Sequence, residues 1–178
     1  RGSGTGEFRL SVATTINKVI LNIGRDFIIE EKFVNLNQPS NAQNPLYEVN
    51  LNGDLNILGG GITVGNMNAN SQLNSAFNFT GTHQTINYAG TTKPSYINFY
   101  IKNGSTVQFV NQDFALSINS SFTVENGGTL DFGFKSDNTA LNLITGSGTG
   151  QKFTLQDGGT LKITSPDGII DGGTSVEN

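Results

Sequence analysis

Cysteine and tryptophan are absent from the 178 residues, methionine and histidine occur once each, and proline occurs four times. Without cysteine there is no disulfide framework, no thiol nucleophile and no thiolate-bound zinc, and the usual clue to redox compartment is lost. Charge is also sparse: ten Lys or Arg stand against fourteen Asp or Glu, giving 13% charged residues and a net charge of −4. A surface of this kind lacks the basic density that neutralises phosphates, so nucleic acid is excluded as a partner. No apolar run approaches the roughly 20 residues of a membrane-spanning helix, and none follows a basic start as in a signal peptide. Membrane insertion by this segment is therefore not expected. Arg1-Gly2-Ser3, with no initiator methionine, reads like an expression scar, which leaves residues 4–178 as one segment excised from a longer chain.

What the chain has in quantity is small and polar: 23 Gly, 23 Asn, 19 Thr and 14 Ser, beside 12 Phe. Hydrophobic residues reach 35%, below the share of an ordinary soluble domain, so burial depends on where each apolar residue stands. Their placement repeats. The pattern Phe-x-apolar, a polar residue, Asn or Asp, Gly, a small residue, Thr, apolar, x, apolar runs from Phe99 through Asn103-Gly104 to Phe109. It recurs from Phe122 through Asn126-Gly127 to Phe132, and from Phe153 through Asp157-Gly158 to Ile163. Intervals of 23 and then 31 residues separate the copies, and the longer one places an insertion within 135–150. Weaker echoes stand upstream at Phe77 and Phe79, at Val49 and Leu51, and at Leu21 and Ile23, each pair followed by a glycine.

Within each copy apolar and polar residues alternate on both sides of the Asn-Gly or Asp-Gly step, the period of a strand with one buried face. Two architectures compete. An Asn-Gly step between alternating runs is a strong hairpin signal, which favours antiparallel meanders or a sandwich. Recurrence of like residues at one fixed spacing favours coils stacked in parallel, with Phe99 next to Phe122 and Phe153, and Thr106 next to Thr129 and Thr160. The second reading is preferred: an all-β, right-handed parallel β-helix of about six coils, a rod roughly 25–30 Å long. Segment 32–48, with Pro39 and Pro45, is expected to be an irregular loop or cap.

The inventory for chemistry is thin, and no catalytic, cofactor-binding or metal-ligating residues are assigned. His83 is the single histidine and has no identifiable nucleophile beside it, so it reads as solvent-facing. Glu30 and Glu31 are adjacent on an expected strand, where they point to opposite faces and form no acid–base pair. Asp131, Asp157, Asp167 and Asp171 read as turn and surface residues. Gly59-Gly60-Gly61 lacks the following helix of a phosphate loop and reads as a turn. Asn78, Asn103 and Asn119 begin Asn-x-Ser/Thr triplets, which chance supplies in so Asn-rich a chain. Thr106, Thr129 and Thr160 make a single row, short of the paired threonine rows of an ice-binding face.

At Tyr88-Ala89-Gly90-Thr91-Thr92-Lys93-Pro94-Ser95-Tyr96 the chain resembles a Tyr-x-Gly, then Pro-Ser-Tyr, segment of vacuolating-cytotoxin-like autotransporter passengers, here one residue shorter. The downstream Gly-Gly-Thr-Leu copies are similar to the glycine-rich repeats of autotransporter passengers in general. The resemblance implies a β-helical passenger carried across an outer membrane by a C-terminal barrel, hence surface-exposed or released. It implies an adhesin, toxin or immune modulator of the bacterial virulence class, without carrying over any catalytic residue. The expected function is that of a non-enzymatic host-contact or display scaffold with a host-cell surface or matrix partner, and self-association through exposed strand edges is allowed. The alternative is a carbohydrate-active or carbohydrate-binding β-helix protein, and a plain structural spacer is the third reading. Loops 32–48, 64–76, 88–97 and 135–150 are the first places to look for a binding patch; Tyr88, Tyr96 and Tyr100 could supply aromatic contacts there, but internal packing is the preferred reading of all three.

Overall fold

The computed structural model describes residues 8–11, 18–31, 33–37, 46–63, 75–134, 143–145 and 150–163. Seventeen strands follow one another among these residues, with no helix. The first seven are β1 (Phe8–Ser11), β2 (Lys18–Ile23), β3 (Phe27–Ile29), β4 (Phe33–Asn37), β5 (Leu46–Leu51), β6 (Leu55–Ile57) and β7 (Gly61–Thr63). Then come β8 (Ser75–Phe79), β9 (His83–Tyr88), β10 (Ile97–Ile101), β11 (Thr106–Phe109) and β12 (Phe114–Leu116). The last five are β13 (Ser121–Val124), β14 (Thr129–Asp131), β15 (Leu143–Thr145), β16 (Lys152–Leu155) and β17 (Thr160–Lys162).

Consecutive strands fall in different sheets. One six-stranded sheet has the order β2-β5-β8-β10-β13-β16 and a second β3-β6-β9-β11-β14-β17, while β1-β4-β7 and β12-β15 make two smaller sheets. Every described pair runs parallel. The antiparallel alternative is thereby overturned. The register is the one the repeat predicts: Phe99 pairs with Phe122 and Phe122 with Phe153, Ile101 with Val124 and Val124 with Leu155, Thr106 with Thr129 and Thr129 with Thr160. The upstream echoes join the same columns, with Leu21 opposite Val49, Val49 opposite Phe77 and Phe77 opposite Phe99.

The Asn-Gly steps do not build hairpins, and the backbone angles say why. In the first copy the Ser105 N–H donates to the Lys102 carbonyl at 3.0 Å, and in the second Gly128 donates to Glu125 at 2.9 Å. Only the glycine of each step has positive φ, +78° at Gly104 and +74° at Gly127. That is the pattern of a type II turn, whereas the hairpin-forming type I′ needs positive φ at both central residues. The chain therefore turns a corner into the next sheet instead of doubling back. Gly104→Ala is expected to cost about 1–2 kcal/mol, the left-handed backbone penalty alone, because no atom lies within 4 Å of its added Cβ. Gly127→Ala should cost more, since its Cβ falls 2.8 Å from the Asn103 side-chain oxygen. Urea denaturation of the two variants ranks them.

Burial alternates along most strands, as in β10, β11 and β12, and sends one set of side chains into a shared interior. That interior is aromatic in its middle layers: Phe77, Phe99, Phe109, Phe114 and Phe122 are buried and lie ring to ring. Two expectations need correction. Phe33–Asn37, inside the segment read as irregular, is a strand paired with β1 and β7, because its own alternation outweighs the prolines that follow. Glu30 and Glu31 lie in the bend after β3, both exposed, and not on a strand. Residues 64–74, 135–142, 146–149 and 164–178 lie outside the described residues, and with them most of two candidate loops, Asp167 and Asp171.

Candidate functional site

The outward side of the first six-stranded sheet carries a linked set of polar side chains. Asn22, Asn50 and Asn78 share one column, and their amides form a ladder: Asn50 Nδ2 donates to Asn22 Oδ1 at 3.0 Å, and Asn78 Nδ2 to Asn50 Oδ1 at 2.8 Å. Tyr100 occupies the next position of that column. Its ring lies 4.9 Å from the Lys102 ammonium, which in turn bonds Glu125 at 2.6 Å. At the other end Lys18 pairs with Glu48. The hydrogen bond from Lys18 holds the Glu48 carboxyl below its ordinary range against the opposing effect of partial burial. This face offers neutral amides and charges that are already paired.

The sequence candidates are dispersed over the described structure. His83 is exposed at the start of β9, where it pairs with Thr106 and so heads the row Thr106, Thr129, Thr160. Asp131 Oδ1 accepts from the Gly133 N–H at 3.0 Å, and Asp157 sits in an exposed turn. Among the described residues no three His, Asp or Glu side chains gather as metal ligands would. Asn78 is buried within the amide ladder, which makes it a poor glycan acceptor. Gly60 and Gly61 carry the bend into β7, and Gly60 O accepts from Thr92 N–H at 3.2 Å, as the turn reading expects.

Loop 88–97 is the one expected binding loop described throughout. Tyr88 packs edge-on against Phe114 at 5.4 Å and belongs to the core. Tyr96 is half-buried against that core with φ of 59°, a left-handed angle unusual for an aromatic residue, and its N–H donates to the Ile118 carbonyl at 3.1 Å. Of the three tyrosines only Tyr100 stands on the outer face. Burial pushes the Tyr88 phenol up to about 12, partly offset by a hydrogen bond from the Ile62 backbone. The unfolded chain loses this proton near pH 10 while the folded chain keeps it. Stability present below pH 10 is thus expected to fall as pH rises toward 12, by about 2–3 kcal/mol in all. Denaturation across this range checks it, and Tyr88→Phe should flatten the slope.

One feature escaped the sequence reading. An apolar cavity of about 220 Å³ lies within the first layers, lined among others by Leu21, Ile23, Phe27, Val49 and Phe77. It exists because Leu21 and Val49 fill the column that Phe occupies further along.

No protein-family model, curated protein or solved structure matches this chain.

Proposed function

We propose that the chain is a right-handed parallel β-helix of about six coils and acts as a non-enzymatic contact scaffold, a surface-exposed or secreted segment of an autotransporter-type passenger. The observation that carries this reading is the register. Two six-stranded sheets are visited in turn, each return pairs parallel with the strand before, and like residues line up in columns. Crossover connections between parallel strands are right-handed in nearly all proteins, which supports a right-handed winding. A rod built this way presents long lateral faces, and here one outward column is an amide ladder flanked by the paired charges Lys18–Glu48 and Lys102–Glu125. Such a face suits a host-cell surface or matrix component bound through many polar contacts better than a small substrate held in a cleft.

Two measurements test the reading. Labelled protein titrated onto epithelial cells and matrix-coated wells should bind saturably and be displaced by excess unlabelled protein; linear, undisplaced uptake would rule out the contact role. The chain joined ahead of an outer-membrane translocator barrel should become accessible to external protease on intact bacteria. Retention inside the cell would sink the secretion route.

A further inference from the structure

Three Asn-Gly steps stand at corners of the described structure, Asn52-Gly53, Asn103-Gly104 and Asn126-Gly127, and all three asparagines are exposed. In this dipeptide a main-chain nitrogen readily attacks the preceding side-chain amide, because glycine has no Cβ to obstruct the approach. Access to water does not rank the three steps; the bonding of the attacking nitrogen does. The Gly104 N–H donates to the Gly127 carbonyl at 3.1 Å, and the Gly127 N–H to the Gly158 carbonyl at 3.0 Å. The side-chain amide of Asn126 is held as well, its Nδ2 donating to the Asp157 carbonyl at 2.9 Å. Both steps lie in type II turns. Ring closure brings the glycine nitrogen into line with the asparagine Cβ, a rotation of about 120° away from the ψ of about +120° that such a turn holds.

Asn52-Gly53 is built differently. Gly53 lacks the positive φ of Gly104 and Gly127. The Asp54 N–H donates to Asp26 Oδ1 at 2.9 Å instead of closing a turn, and among the described residues nothing accepts from the Gly53 N–H. We propose that Asn52 is a site of spontaneous deamidation, the reactive one of the three steps, and that its isoaspartyl product unseats the corner. Solvent base takes the proton of the Gly53 N–H as the nitrogen attacks Asn52 Cγ. The Cγ–Nδ2 bond then breaks, Nδ2 takes up a proton and leaves as ammonia, and a five-membered imide remains. Water adds to one of the two imide carbonyls and breaks its bond to nitrogen, giving aspartate or, with the main chain rerouted through the side chain, isoaspartate. The second product lengthens the main chain by one methylene where there is no slack: a Cβ at Gly53 would run into the Arg25 and Asp26 backbone, and one at Gly81 into the Asn52 carbonyl oxygen. Either product adds a carboxylate to a corner that already holds Asp26 and Asp54. The inference is independent of the host-contact role.

The test uses the unaltered chain. Held folded in warm, mildly alkaline buffer and digested after increasing times, it is read by peptide mass spectrometry at all three steps, with isoaspartyl methyltransferase reporting the isoaspartyl fraction. The two locked corners react only after local opening, so Asn52 should lose ammonia roughly tenfold faster, or more, than Asn103 or Asn126. In concentrated guanidinium chloride the three rates should converge, because each asparagine is followed by glycine and the fold no longer protects any of them. Equal rates in the folded chain, a faster step at Asn103 or Asn126, or a ranking that survives denaturation overturns the proposal. The aged isoaspartyl form, separated by anion exchange on its added charge, should unfold at a lower urea concentration than the fresh chain. Identical midpoints would refute the unseated corner.

Discussion

Phe122→Ala is expected to lower the unfolding free energy by about 3–5 kcal/mol, the combined loss of transfer free energy and creation of a cavity. The ring is fully buried. It stacks on Phe99 at 5.9 Å and meets Phe109 at 5.8 Å and Phe114 at 5.6 Å, both edge-on. Three neighbours held on three different strands cannot collapse together into the space, because each is fixed by its own parallel ladder. Phe153→Ala, in the same column but half-buried, should cost clearly less. Urea denaturation measures both, and a loss under about 1 kcal/mol for Phe122→Ala would mean that its ring is not packed inside.

Gln84→Val is expected to cost about 1–4 kcal/mol even though valine is the better match to its column. Gln84 is 3% exposed and pairs with Val107, an apolar inward residue of the next strand. Its amide ties down a corner: Oε1 accepts from the Gly81 N–H at 2.7 Å, and Nε2 donates to the Leu51 carbonyl at 3.0 Å and to the Gly53 carbonyl. The Leu51 carbonyl keeps bonds from the Thr80 N–H and hydroxyl after the substitution. The buried Gly81 N–H and the part-buried Gly53 C=O lose this partner; a buried backbone group left unmet costs about 1–3 kcal/mol, a part-buried one less. Thermal or urea unfolding decides the matter. A loss below about 1 kcal/mol would mean that water takes over the role of the amide.

The difference between these residues explains what was legible in the sequence. Phe122 announces itself because its column repeats one residue type, Phe77, Phe99, Phe122 and Phe153, at the spacing of the strand register. Gln84 does not. Alternation correctly turns His83 outward and would place any residue beside it inward, but polarity argues against burying an amide. The signal that overrides polarity is three-dimensional, the set of unpaired backbone groups around Gly53 and Gly81. Strand β4 was masked by the prolines after it, and β12 and β15 are only three residues long, too short for a period to show. The Asn-Gly corners were visible, and their sense came from the recurrence of like residues rather than from the dipeptide, which serves a hairpin or a corner according to one φ angle.

The outer face was less legible than the core. Asn22, Asn50 and Asn78 are spaced by 28 residues, yet their ladder emerges only once two strand pairings are known. Tyr88 and Tyr96 pack against the core, the reading preferred for them over a contact role. Tyr100, inside a strand, is the tyrosine that reaches the surface polar column.

The unequal register has a mechanical consequence. Successive strands of the first long sheet are offset by 28, 28, 22, 23 and 31 residues. Stretched between its termini in an optical trap, the molecule should yield by peeling rather than by sudden rupture, because each described strand is paired only with its neighbours in the sheet. At roughly 3.5 Å per extended residue the released lengths fall between about 75 and 110 Å, with the longest step from the stretch between β13 and β16. The order of long and short extensions in a force trace would therefore report which end gives way first.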